Sequence, residues 1–271
     1  MENTKKAAKG KKPVKPVVKP YLTGKPFDAS CIRSCVMFAF SMLMVALVSL
    51  FASPALLSEA MWLRLIMNIA MLVLVYGFYY QNGANKGTAA VNQGEILYQR
   101  QESGRSVDPK DHAACFHYAK GFLIGLVGSL PWILLAVLLA FTAQRQVSHF
   151  GALPSWVTGF QSRSEIGEAL AYYTTSVPMT FEDGLRILVR MVIMPFINMT
   201  GLENRDAHLL IERISPLLML LPAISYGLGY IRGVGLRSRV HTSIAQNRRK
   251  AAKRDRKRRE ARVRKEPQQL N

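Results

Sequence analysis

The chain has 271 residues and carries 36 Lys and Arg against 17 Asp and Glu, a net charge of +19, yet 49% of its residues are hydrophobic. Charge and apolar surface coexist at that level only where they are segregated, and four stretches hold no charged residue: 34–58, 65–85, 121–144 and 214–231. A helix needs about 20 mostly apolar residues to cross a ~30 Å hydrocarbon core. The pattern therefore describes an all-α, multi-pass transmembrane helical bundle, and it excludes a soluble enzyme, a secreted disulfide scaffold and a disordered nucleic-acid chaperone.

Residues 1–30 form a Lys/Pro-rich tail with Lys12-Pro13, Lys15-Pro16 and Lys19-Pro20. This composition cannot bury a core and is expected to stay disordered and extended. The first apolar run is longer than the 7–15 residues of a signal peptide, so the segment reads as retained. Three spans are expected within 31–142. Cys31 and Cys35 lie one turn apart at the start of the first span, and Ala52-Ser53-Pro54-Ala55 reads as the turn that ends it. With Cys115 they are expected to be free thiols on the inner side. Asn68 is the strongly polar side chain deep in a clear span, suited to an interhelical hydrogen bond or to lining a path.

Residues 81–120 read as a loop. Within it Asp108 precedes Pro109, an N-cap followed by Pro at the first helical position. Neither Gly nor Pro follows until Gly121, so one helix is expected to run from Lys110 into the third span. Asp108, Asp111, His112, Cys115 and His117 invite a metal reading. At ~100° per residue, however, His112 and Cys115 share a helix face while His117 points away, and the spacing matches no recurrent four-ligand pattern. The third span carries Gly121, Gly125, Gly128 and Ser129, which let helices approach closely, and Pro131, which should kink it.

Residues 143–213 form the opposite, extracytoplasmic segment. His149, Phe150, Trp156, Glu165, Glu168, Tyr172 and Tyr173 lie in its first half. The aromatics suit the headgroup level, Ser162 and Glu165 fit a capping box, and for catalysis by His149 with Glu165 or Glu168 nothing fixes the nucleophile. Asn198-Met199-Thr200 matches a glycosylation sequon. Residues 181–199 are apolar apart from their first turn, Arg186, Arg190 and Asn198. Apolar gains of about 0.3–0.6 kcal/mol per residue roughly cancel the cost of two central Arg. The segment therefore reads as an outer interfacial or re-entrant helix, capped by Thr180 and bent or ended at Pro195. Arg186 and Arg190 share a face and are expected to reach lipid phosphates, or to pair with Glu182 or Asp183.

The fourth span, 214–235, holds Pro216 and Pro222 and the row Ser225, Gly229, Gly233, which again suits close helix packing or an oligomer contact. A dinucleotide reading of these glycines fails because no strand precedes them. Residues 236–271 are a polybasic tail, free of Gly and Pro from Leu236 to Glu266 and thus able to form a long helix against its own charge repulsion. Arg248, Arg249, Lys250, Lys253, Arg254, Arg256, Lys257, Arg258 and Arg259 are lipid-headgroup candidates, each worth about 1 kcal/mol near an anionic leaflet. The same charges can neutralise phosphates of RNA or a ribosome or meet an acidic protein, although the tail lacks stacking aromatics.

Summed charge is +7 over 1–33, 0 over 54–64, +1 over 81–120, −1 over 143–213 and +12 over 232–271. The positive-inside rule then places both termini and 81–120 in the cytoplasm of a cell-membrane protein and requires an even number of crossings. No catalytic set, cofactor site or metal set is identified. The leading functional expectation is a non-enzymatic scaffold or accessory subunit, anchored by its basic tails to anionic lipid. The alternative is a small permease or channel component, with a path between kinked spans near Asn68, Pro131, Pro216 and Pro222.

Overall fold

The computed structural model describes residues 17–56, 60–144, 160, 163, 180–201 and 204–263. The readings at residues 1–16, His149, Phe150, Trp156, Ser162, Glu165, Glu168, Tyr172, Tyr173 and 264–271 lie outside them. The described chain is all-helical, and four of its helices are long and apolar enough to cross a membrane. In chain order the helices are α1 Ala29–Leu56, α2 Met61–Glu102, α3 Pro109–Ala114, α4 Lys120–Thr142, α5 Phe181–Thr200, α6 Arg205–Leu218 and α7 Leu220–Val263. Helices α1, α2 and α4, and the α6–α7 pair together, supply the four apolar rods.

α2 and α7 form the spine. They run parallel, because contacts climb both chains together: Ser225 Oγ donates to the Tyr76 carbonyl at 2.7 Å, and further along Arg237 Nε donates to Glu95 at 3.0 Å. Their backbones touch. A side chain at Gly83 would strike the Tyr226 carbonyl, one at Gly87 the Tyr230 carbonyl, one at Gly229 the Tyr80 carbonyl, and one at Gly233 the backbone of Gly87. Such an approach maximises dispersion contact where lipid removes the hydrophobic drive between helices. It also explains a departure from the sequence reading. The stretch 81–102 is not loop but the last half of α2, because its Gly83 and Gly87 are the seat of α7.

α4 packs on α7 through Gly121, which faces the Tyr230 ring, and Gly125, which lies against Ala223. Gly128 faces Cys35 and Phe38 of α1, and the Trp132 indole donates to the Ala39 carbonyl at 3.2 Å. The shared core runs from Phe38 and Met42 through Tyr79, Ala136 and Leu139 to Met219 and Tyr226.

Three other boundaries differ from the expectation. α1 continues through Pro54 to Leu56. The helix begun by Asp108, which accepts from the Lys110 amide at 2.9 Å, stops at Ala114 instead of running on into α4. The break is held by Lys120, whose ammonium turns back onto the Ala113 and Cys115 carbonyls at 2.8 and 3.1 Å. Finally, residues 17–28 of the tail expected to be disordered form a strap across this end of the bundle. Leu22 donates to Gly94 at 3.2 Å, Gly24 to Phe116 at 2.9 Å and Lys25 to Ala113 at 3.2 Å.

α6 and α7 are one rod with a local fault at Met219. Pro222 has no amide to donate to Leu218, so the ladder lapses there. Pro216 likewise cannot donate to Glu212, but the Ser215 hydroxyl does so in its place at 2.7 Å.

The glycine seats generate a direct test. Gly229→Val should lower the melting temperature of the detergent-solubilised protein by many degrees or prevent folding. Gly235→Ala, which meets nothing within 4 Å, should leave it unchanged or raise it slightly, since alanine is the better helix former by roughly 0.5–1 kcal/mol.

Candidate functional site

Among the described residues two carboxylates, Glu212 and Glu95, are buried inside the bundle, one near each end, and each gathers cations from a neighbouring helix. The first is Glu212 on α6, 1% exposed. Arg186 Nε lies 3.1 Å from its Oε1, and Arg190 Nε donates to the same oxygen at 2.6 Å. Arg186 Nη2 also donates to the Gln144 carbonyl at 3.0 Å. One helical turn separates the two Arg, so both forks fall on one face of α5 and meet one acid. The structure thus brings both Arg onto Glu212, where the sequence suggested lipid phosphates or Glu182 and Asp183. Asp183 is occupied by the cap: its Oδ2 accepts from the Thr180 amide at 3.1 Å and hydroxyl at 2.7 Å.

The apolar face of α5, with Leu185, Val189, Ile193 and Ile197, joins the common core. Its first turns lie near Gln144, beyond α4, and Gly201 at its end lies against the Arg64 guanidinium near the start of α2. Both ends therefore sit at the same end of the bundle, where α2 begins and α4 finishes. Pro195 is accommodated within the helix, and the chain turns instead at Gly201, whose φ of 79° is the left-handed conformation glycine adopts freely.

The second carboxylate is Glu95 on α2, 4% exposed. It accepts from Arg237 Nε at 3.0 Å, and His241 Nε2 lies 2.7 and 2.9 Å from its two oxygens. Arg237 also donates to the Asn92 side chain. Beside this cluster Val17 donates to Thr242 Oγ1 at 3.0 Å and accepts from Ser238 Oγ at 3.1 Å, which ties the N-terminal strap to α7. Next to it, Asp28 receives the Ser30 hydroxyl at 2.9 Å and the Cys31 thiol at 2.8 Å, with Lys120 at 3.8 Å. Burial alone would raise the Asp28 pKa, but these donors and the Lys120 charge outweigh it and hold the carboxyl below its ordinary range.

From this base α7 continues without interruption to Val263. The nine cations from Arg248 to Arg259 are exposed along it, and Arg256 makes an i,i+4 contact with Glu260 at 3.0 Å. Such exposed pairs contribute little. Arg232 marks where the rod leaves its apolar part, with Nη1 donating to Tyr80 Oη at 2.9 Å. Arg248 lies sixteen residues further on, and Arg259 twenty-seven. At 1.5 Å per residue these are about 24 and 40 Å beyond that level. A 40° tilt, the upper end for membrane helices, still leaves about 18 Å, against a screening length of ~8 Å at physiological salt.

The remaining candidates, Pro131 apart, are in packed positions. Gly121, Gly125, Gly229 and Gly233 seat neighbouring helices, Pro222 is buried, and Pro131 is exposed on α4. Asn68 is fully buried and donates to the Arg64 carbonyl at 2.8 Å. Cys31, Cys35 and Cys115 are buried free thiols. Among the described residues no three His, Cys, Asp or Glu side chains converge as metal ligands would. Sequence reading missed both carboxylates, although each had a signal. Glu212 is the sole acid between Asp206 and Asp255, and Glu95 the sole acid between Glu59 and Glu102. Comparison with protein-family models, with curated proteins and with solved structures finds no match.

Glu212→Leu should destabilise the protein by about 3–5 kcal/mol, because it removes the buried carboxylate that Arg186 and Arg190 share. Arg186→Ala combined with Arg190→Ala should also destabilise it, by stranding Glu212, whereas Glu260→Gln should be silent. Thermal unfolding in detergent reads all three.

Proposed function

We propose that the chain is a non-enzymatic membrane scaffold or accessory subunit whose last span continues as a stiff polybasic arm, and that the arm engages RNA phosphates beyond the headgroup layer. The unbroken course of α7 from Leu220 to Val263 carries this reading. A charge held more than two screening lengths from its own leaflet gains little from that leaflet's lipid. The distal cations therefore act on something in the aqueous phase, while Arg232 and Arg239 serve at the headgroup level. Cations lie on every side of the arm, which suits sequence-independent neutralisation of phosphates. The lack of aromatics in the arm opposes base reading.

The remaining features support an even number of crossings. Val17 is bonded to α7 beside Glu95, so both described ends of the chain gather at one end of the bundle. By the positive-inside rule that end is cytoplasmic and the α5 end is outside. A permease is the weaker reading, because the glycines that could open a path are filled by Tyr230, Ala223 and the α2 backbone.

Reconstituted in nanodiscs of zwitterionic lipid, the full chain should bind an RNA duplex with an affinity that falls steeply with salt. Replacing Lys253, Arg254, Arg256, Lys257, Arg258 and Arg259 by Gln should weaken it at least tenfold. Protection of the arm from trypsin by anionic vesicles, with no response to RNA, would restore the lipid reading. Orientation is tested separately in a cysteine-free background. Cysteines at Phe160 and Thr175 should react with an impermeant maleimide on intact cells, and those at Gly10, Arg100 and Glu260 should not; labelling at Glu260 would overturn the cytoplasmic assignment.

A further inference from the structure

α1 packs against α4 and α5, and α2 against α7, so the two consecutive helices α1 and α2 scarcely touch each other. Between them lies an open groove of about 810 Å³, within the range of small-molecule sites. Its walls are apolar side chains of both helices, such as Phe40 and Met44 on α1 and Met71 and Leu74 on α2. Its floor is the aromatic cluster of Phe38, Tyr79 and Tyr226, with Phe38 ring centroids 5.2 and 5.3 Å from the other two.

The charged and amide side chains of the groove lie at one end alone, while Ser41 on its wall spends its hydroxyl on the Phe38 carbonyl at 2.7 Å. Ser34 on α1 and Asn82, Asn85 and Lys86 on α2 line that end, and no Asp or Glu lines any part of it. Among the described residues no carboxylate pairs with Lys86. Asn85 Oδ1 already accepts from Gln81 Nε2 at 3.2 Å, which leaves its amide N–H groups to donate outward. The polar end also falls at the right depth. Asn82 and Lys86 lie twenty-one and twenty-five residues beyond Met61, about 32 and 38 Å along the helix, just past a hydrocarbon core of ~30 Å.

We propose that this groove is a site for an anionic phospholipid, with an acyl chain lying along the apolar walls over the aromatic floor and the phosphate held by Lys86, Asn82 and Asn85. An ammonium and amide donors supply the charge and hydrogen bonds that a phosphodiester accepts, and their gathering at one end sets the orientation of the lipid. A second copy of the chain would present an apolar helix there and leave Lys86 without an anion. The site rests on α1 and α2 crossing the membrane, and it is independent of what the arm binds.

The test is native mass spectrometry of the full-length protein titrated in detergent with phosphatidylglycerol and with phosphatidylcholine. The wild type should retain phosphatidylglycerol several-fold better. Lys86→Gln with Asn82→Leu and Asn85→Leu should lower that retention at least fivefold at an unchanged melting temperature. Leu74→Trp, which fills the apolar part and leaves the polar end intact, should lower it too, so the result does not hang on one variant's folding. Replacing Lys253, Arg254 and Arg256 by Gln should leave retention at the wild-type level. Undiminished retention in both groove variants, or loss in the arm variant alone, would overturn the proposal. So would a photo-cross-linker at Phe40 that captures a second copy of the chain in place of lipid.

Discussion

The contact on which the rest of the structure depends is the backbone-to-backbone approach of α2 and α7 at Gly83, Gly87, Gly229 and Gly233. At that separation glycine is required at each of the four positions, because any Cβ there would strike the partner helix's backbone. The register carries Arg237 and His241 to Glu95, and it aligns the two longest helices of the chain in parallel. Because α2 runs to Glu102, it braces α7 well past the apolar part of the rod. The arm therefore starts from a supported helix, which offsets the repulsion among its own cations.

Buried charge is organised by the same economy at both ends. A charge in a helical bundle faces the interior and finds a partner, or it is not tolerated. Glu212 meets two Arg from α5, and Glu95 meets one Arg and one His from α7. These clusters hold elements that hydrophobic packing alone would place loosely. α5 is held at the end where α2 begins, and α7 is fastened to α2 where apolar residues give out. In both clusters the carboxylate and its cations join one helix to another.

The groove between α1 and α2 is a consequence of this division of labour. α7 occupies the face of α2 that a neighbour in sequence would ordinarily take, while α4 and α5 occupy α1. The consecutive helices α1 and α2 are thus left apart, with the buried Tyr79 and Tyr226 of the spine as a floor between them.

Much was legible in the residues themselves. Four charge-free runs establish four apolar rods, because span length is a matter of rise per residue against bilayer thickness. The Asp108-Pro109 and Thr180 helix starts were likewise readable, since a cap is a local hydrogen bond between neighbours in sequence. What tertiary structure decided is everything that pairs residues distant in the chain. Residues 81–102 are helix because α7 lies on them, and residues 17–28 are ordered because Gly94, Phe116 and Thr242 offer hydrogen-bond partners. Arg186 and Arg190 face inward because an acid more than twenty positions away comes within reach. Local propensity and hydropathy contain no term for a partner, and for a charge in an apolar setting the partner determines which way the side chain turns.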